Sequence, residues 1–155
     1  ASTSQAARAR GYTEAMKGAG LEPEEAAYGY FTVAGGESAM TSLLSQPRPP
    51  TAVFAMSDDM AFGAIRALQR HGIRPGVDIA IASIDGHDLS ELLDLTTVGQ
   101  PVEQMGRMAA HALLDRMLGR DNPDAGDPDA GEIAVPTTLV VRGSTVPVER
   151  TTSLG

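Results

Sequence analysis

Residues 51–85, TAVFAMSDDMAFGAIRALQRHGIRPGVDIAIASID, constrain the fold more than any other stretch. Thr51 to Met56 is a short apolar run of the kind a buried strand needs. Ser57-Asp58-Asp59 follows, where a side-chain oxygen can accept an orphan N–H of a helix start. Both aspartates also suit the positive end of the helix dipole. Ala61, Ala64, Ile65 and Leu68 then recur at the spacing of one buried helical face. Gly72 predicts a left-handed stop, Ile73 its hydrophobic partner, and Pro75 bars continuation. Asp78 to Asp85 is a second apolar strand ending in a carboxylate. Strand, helix and strand in this order make a right-handed crossover with parallel strands, covered on both faces. In open sheets of this kind ligands bind beyond the carboxyl ends of the strands. Ser57, Asp58 and Asp85 all fall at that edge.

The rest of the chain supplies more elements of the same kind. Residues 3–19 read as a helix closed by Gly18, Gly20 and Pro23. Tyr28 to Val33, aromatic and β-branched, predicts a strand, Gly35-Gly36 a turn, and Glu37 to Ser45 a helix. Pro49-Pro50 belongs to a short rigid connector. After Asp85, Leu89 to Leu93 has room for one helical turn, and Thr96 to Gly99 predicts a short strand. Pro101 suits the first position of a helix over 101–119 with Val102, Met105, Ala109, Ala112 and Leu113 on one face. Residues 120–131 are rich in Asp, Pro and Gly and predict a flexible acidic loop; they lack the spacing of a calcium loop. Ile133 to Val141, broken by Pro136, predicts an edge strand, and the last dozen residues a tail.

Five blocks in order carry a family resemblance. They are Arg8-Ala9-Arg10-Gly11-Tyr12, Phe31-Thr32 with Gly36, TAVFAMSDDMAFGAIRALQRHGI, DIAIASID, and LTTVGQPVEQMG at 95–106. Together they resemble the C-terminal part of the effector-binding domain of LacI/GalR transcription regulators. The resemblance implies a three-layer α/β/α fold with a mostly parallel sheet, the C-terminal subdomain of a type I periplasmic-binding-protein-like module, over residues 1–155. It implies that a DNA-binding head and an N-terminal subdomain belong to the intact protein and lie outside this chain. The helix over 101–119 would pack on that absent subdomain. The implied function is binding of a sugar-like effector and dimerisation, controlling operator binding by the missing helix-turn-helix head. Such a protein is cytoplasmic. The alternative on the same fold is a periplasmic sugar-binding protein of a transport system.

The resemblance also places Arg8, Phe31, Ser57, Asp85 and Gln100 at effector-facing positions. Their chemistry suits a polyol, since a carboxylate accepts from two hydroxyls, a guanidinium donates in a fork, and an aromatic face covers the apolar side of a ring. Other roles stand beside these. Arg8 can pair with a surface carboxylate, Phe31 can be core, and Ser57 and Asp58 can cap a helix. Asp85 is the least easily explained away, because a carboxylate ending a buried strand needs a partner. Ile84 and Gly86 replace the aromatic residue and the acidic or amide residue usual in the family, and Ser57 its frequent Asn, so the pattern departs from an ordinary hexose site.

Chemistry of other kinds finds little support. Twelve basic and twenty acidic side chains give a net charge of −8, which opposes nucleic-acid binding by this chain itself. No cysteine is present, so disulfides and zinc-thiolate sites are excluded. No apolar run approaches the ~20 residues of a membrane span. His71, His87 and His111 lack metal-ligand spacing, and no nucleophile elbow or phosphate loop occurs, so neither cofactor nor metal is expected. An enzymatic reading would need Asp58, Asp85 and His87 to converge as an acid–base group.

Overall fold

The computed structural model describes residues 3–23, 26–119 and 133–146. In chain order these form α1 (Thr3–Gly18), α2 (Val33–Leu44), β1 (Ala52–Phe54), α3 (Asp58–Arg70), β2 (Ala80–Asp85), α4 (Leu89–Leu92), β3 (Thr96–Gly99), α5 (Val102–Leu118) and β4 (Thr138–Val140). The strands make one sheet in the order β1-β2-β3-β4. The first three are parallel and β4 runs antiparallel along β3 as an edge strand. This is the expected α/β class with a mostly parallel sheet.

The central crossover forms as its residues dictate. Ser57 caps α3, its hydroxyl oxygen accepting from the Met60 N–H at 3.3 Å. At the other end Gly72 has φ +70°, Ile73 N–H donates to the Leu68 carbonyl at 2.9 Å, and Gly72 N–H to Gln69 at 3.1 Å. That pair of bonds is the Schellman termination. Ala61, Ala64, Ile65 and Leu68 are all buried, with Met40 of α2, Ile81 of β2 and Leu95 before β3 in the same core.

Four expectations are corrected. Tyr28–Val33 is not a strand. Tyr30 and Phe31 have φ of 51° and 56°, so the chain reverses there, and Thr32 caps a helix that starts at Val33. Gly35-Gly36 is accordingly not a turn but part of the first turns of α2. A Cβ on Gly36 would lie 2.2 Å from the Met60 carbonyl oxygen, and one on Gly63 would lie 1.9 Å from that of Val33. These glycines let α2 and α3 touch backbone to backbone. The last dozen residues are not wholly a tail: Ser144 is buried, its hydroxyl donating to the Ile81 carbonyl at 2.6 Å and accepting from the Thr96 N–H at 2.8 Å. Pro101 stands one place earlier than expected, at the N-cap of α5. The acidic loop over 120–131 lies outside the described residues.

Helix α5 has no buried residue. Val102, Met105 and Leu113 of its expected face are exposed, as are Leu114, Met117 and Leu118.

Candidate functional site

The carboxyl end of β2 is the organising point. Asp85 pairs with Gly99 in the parallel register, and its carbonyl accepts from the Gln100 N–H at 3.1 Å. Its φ of 141° lies in a region that residues with a Cβ avoid, at a cost of about 1–3 kcal/mol that the surroundings must offset. Gly86 continues at φ 78°, where a Cβ would sit 2.6 Å from Gly99 Cα. A side chain there would be strained and would press on the β3 backbone, so glycine suits this position.

Four of the five expected site residues meet around that carboxylate or its partner cation. Asp85 Oδ1 accepts from Arg8 Nη2 at 3.1 Å and from Gln100 Nε2 at 2.9 Å. Asp85 Oδ2 accepts a long bond of 3.4 Å from the Asp58 backbone N–H. Arg8, reaching across from α1, also donates from Nη1 to the Met56 carbonyl. Its guanidinium carbon lies 5.9 Å from the centroid of the Phe31 ring, a cation–π contact. Side-chain exposure is 18% for Arg8 and 40% for Asp85. The carboxylate is thus held by fixed donors on one side and open to water on the other. Ser57 is the exception: it is buried and its hydroxyl is committed to the α3 cap.

Asp58 lies next to this cluster and behaves in the opposite way. It is 1% exposed. Oδ1 accepts from the hydroxyls of Ser83 (2.5 Å) and Thr97 (2.7 Å), and Oδ2 from the His87 N–H (2.6 Å) and the Ser90 hydroxyl (2.7 Å). Burial alone would raise its pKa. The bonds from Ser83, Thr97, His87 and Ser90 outweigh burial and hold the carboxyl below its ordinary value. Its folded value is the depressed one, so its contribution to stability is present above the ordinary Asp range. That contribution fades as pH falls through the depressed value.

The acid–base grouping of Asp58, Asp85 and His87 does not assemble. The four lone-pair sites of Asp58 are filled, and His87 Nδ1 accepts from the Leu89 N–H while its ring stands edge-on to Phe62. Among the described residues no cluster of His, Cys, Asp or Glu could hold a metal ion, and no helix is long and apolar enough to cross a membrane.

Sequence reasoning did not find the groove beside the cluster. A cavity of about 850 Å³ runs between α1, the 26–31 segment, α2 and β1, lined among others by Tyr12, Tyr28, Phe31, Met40, Phe54 and Met56. Tyr12 stacks on Phe54 with ring centroids 6.1 Å apart. Nothing in the residue pattern announces it, because it arises where the expected strand over 28–33 is not formed.

Comparison with known proteins places this chain in a family. Residues 1–145 match the periplasmic binding protein-like domain. The chain belongs to that family. Within it, the chain is 39% identical over 142 residues to the HTH-type transcriptional repressor CytR of Escherichia coli K12, covering 89% of this chain and 40% of CytR. The lac repressor dimer bound to operator and the anti-inducer ONPF is similar to it with a TM-score of 0.83 at 27% identity, over 94% of this chain and 49% of that one. A LacI family regulator from Enterococcus faecium with bound ribose gives 0.71 at 28% identity, over 92% and 52%. The curated relatives this chain matches are transcription regulators, and the match covers the periplasmic-binding-protein-like domain. The chain spans about 40% of the length of the curated relatives.

Proposed function

We propose that this periplasmic-binding-protein-like domain is the effector-binding part of a LacI-type transcription regulator, and that Arg8, Phe31, Asp85 and Gln100 form one wall of its effector site. Ser57 contributes by fixing the start of α3 beneath that wall. The carrying observation is the Asp85 carboxylate, gripped by Arg8 and Gln100 on one oxygen yet 40% exposed. Hydroxyl groups of a polyol can donate to the open side of that carboxylate and accept from Arg8 and Gln100, while Phe31 covers an apolar ring face. A ribose-bound relative supports a sugar or nucleoside as ligand. In the intact protein an N-terminal subdomain supplies the opposing wall and packs on the apolar stripe of α5. Two copies associate and pass the effector-dependent orientation of the subdomains to DNA-binding heads in the cytoplasm. A ligand moves that equilibrium only by its differential affinity for the two orientations.

The test is calorimetric titration of the full-length regulator with a panel of pentoses, hexoses and nucleosides. We expect one class to bind, and Asp85→Asn to weaken it about 10- to 100-fold, the value of a charge-assisted hydrogen bond. Binding that Asp85→Asn leaves intact would remove this wall from the site. Intact mass and N-terminal sequencing of the native protein separate a regulator, with a helix-turn-helix upstream, from an exported binding protein with a cleaved leader.

A further inference from the structure

Asp85 needs something to hold it at φ 141°. The two N–H groups that follow it supply the clue. Gly86 N–H donates to Thr97 Oγ1 at 3.2 Å, and the Thr97 hydroxyl donates onward to Asp58 Oδ1 at 2.7 Å. His87 N–H donates directly to Asp58 Oδ2 at 2.6 Å. Ser90, at the head of α4, donates to the same oxygen at 2.7 Å. Both main-chain groups after Asp85 therefore end on Asp58, one directly and one through Thr97. The backbone N–H of Asp58 also reaches the Asp85 side chain at 3.4 Å. Asp58 is itself immovable, being buried at the first turn of α3 and fixed to Ser83 of β2.

We propose that Asp58 is a positioning residue for the effector site. Its carboxylate pins the chain over 86–90 so that Asp85 keeps the positive-φ backbone from which its side chain meets Arg8 and Gln100. The role demands a carboxylate because every group around it donates. An Asn at position 58 would have to turn its NH2 toward one pair. Turned toward His87, it opposes a backbone donor that cannot rotate away. Turned toward Thr97, it displaces the hydroxyl hydrogen that now links Gly86 to the hub. Either orientation weakens one of the two pins.

The proposal deepens the reading of Asp85 as effector-facing, yet its test needs no effector. The three-bond coupling between the amide and α protons reports φ directly. It is small near 141° and large for an ordinary extended strand near about −120°. In the wild-type full chain the Asp85 coupling is expected to be small. In Asp58→Asn it should rise several-fold, while Leu68→Ala, a destabilising change in the core far from this network, should leave it small. Thr97→Val provides a second variant of similar volume; it removes the hydroxyl that accepts from Gly86 and donates to Asp58, leaves the direct His87 bond, and should raise the Asp85 coupling and speed exchange of the Gly86 amide. A folded Asp58→Asn or Thr97→Val protein with an unchanged Asp85 coupling, or a wild-type coupling that is already large, overturns the proposal. Failure of every sugar and nucleoside to bind would count against the effector reading and leave this coupling experiment intact.

Discussion

Helices α3 and α5 are both amphipathic by sequence, and they end in opposite situations. Over thirteen residues α3 buries Asp58, Ala61, Gly63, Ala64, Ile65, Ala67 and Leu68, with a side-chain cap at its start and a Schellman turn after its end. Over seventeen residues α5 buries none, and Pro101 gives it no side-chain cap. The difference lies in partners. A stripe at helical spacing says that a face wants cover. It does not say whether the cover is encoded nearby. For α3 it is, because α2 approaches through Gly36 and Gly63 and β2 follows eight residues after the helix stop at Gly72. For α5 the described residues hold no such element.

The comparison can be tested most severely at Leu68, which is fully buried. Leu68→Ala removes a side chain from a closed core and should cost about 2–5 kcal/mol in denaturant unfolding. A cost near zero would mean that α3 is no better anchored than α5. Glycines give the next largest contrast. Gly63→Ala drives a Cβ to 1.9 Å from the Val33 carbonyl oxygen, so α2 and α3 must separate, at about 1–3 kcal/mol. Gly106, in the middle of α5, has nothing within 4 Å of a built Cβ. Gly106→Ala should therefore stabilise by about 0.5–1 kcal/mol, the intrinsic helix preference alone. The same substitution thus has opposite signs in the two helices, and equal signs would break the distinction.

Legibility in the sequence followed the same divide. Where structure depends on near neighbours, it could be read: β1, α3 and β2 from one crossover pattern, the Ser57 cap, the Gly72 and Ile73 termination, and β3 at Thr96–Gly99. Where it depends on how two segments approach, it could not. Tyr28 to Val33 has strand composition, but Tyr30 and Phe31 adopt left-handed backbone and hand Thr32 to a helix start. Gly35-Gly36 carries the composition of a turn, and only the nearby backbone reveals its purpose, that of Gly29 for Gly35 and that of Met60 in α3 for Gly36. Ser144 is a lone small polar residue in an unpatterned stretch, and its burial comes with hydrogen bonds to the backbone of Ile81 and Thr96. Geometry brings Arg8, Phe31, Asp85 and Gln100 together, and the sequence pattern alone did not show these contacts. The sequence placed Asp58 at the right edge as a helix cap and singled out Asp85, but it did not reveal Asp58 as the buried hub of the network. That distinction is one of environment, with four donors buried around one carboxylate and water beside the other.

The smallest expected effect is the sharpest probe of α5. Leu113 is 60% exposed, so Leu113→Ser removes little buried apolar area. Helix propensity differs modestly between the two residues, and the change in unfolding free energy of this chain should stay within about 0.5 kcal/mol. In a longer protein carrying the N-terminal subdomain, the same substitution should cost more, because the side chain would then be covered and its loss would leave a cavity. Equal small effects in both proteins would leave the stripe of α5 without a partner there and would withdraw that part of the proposed architecture. A large effect already in the present chain would show that α5 packs on it after all. The contrast with α3 would then be one of degree.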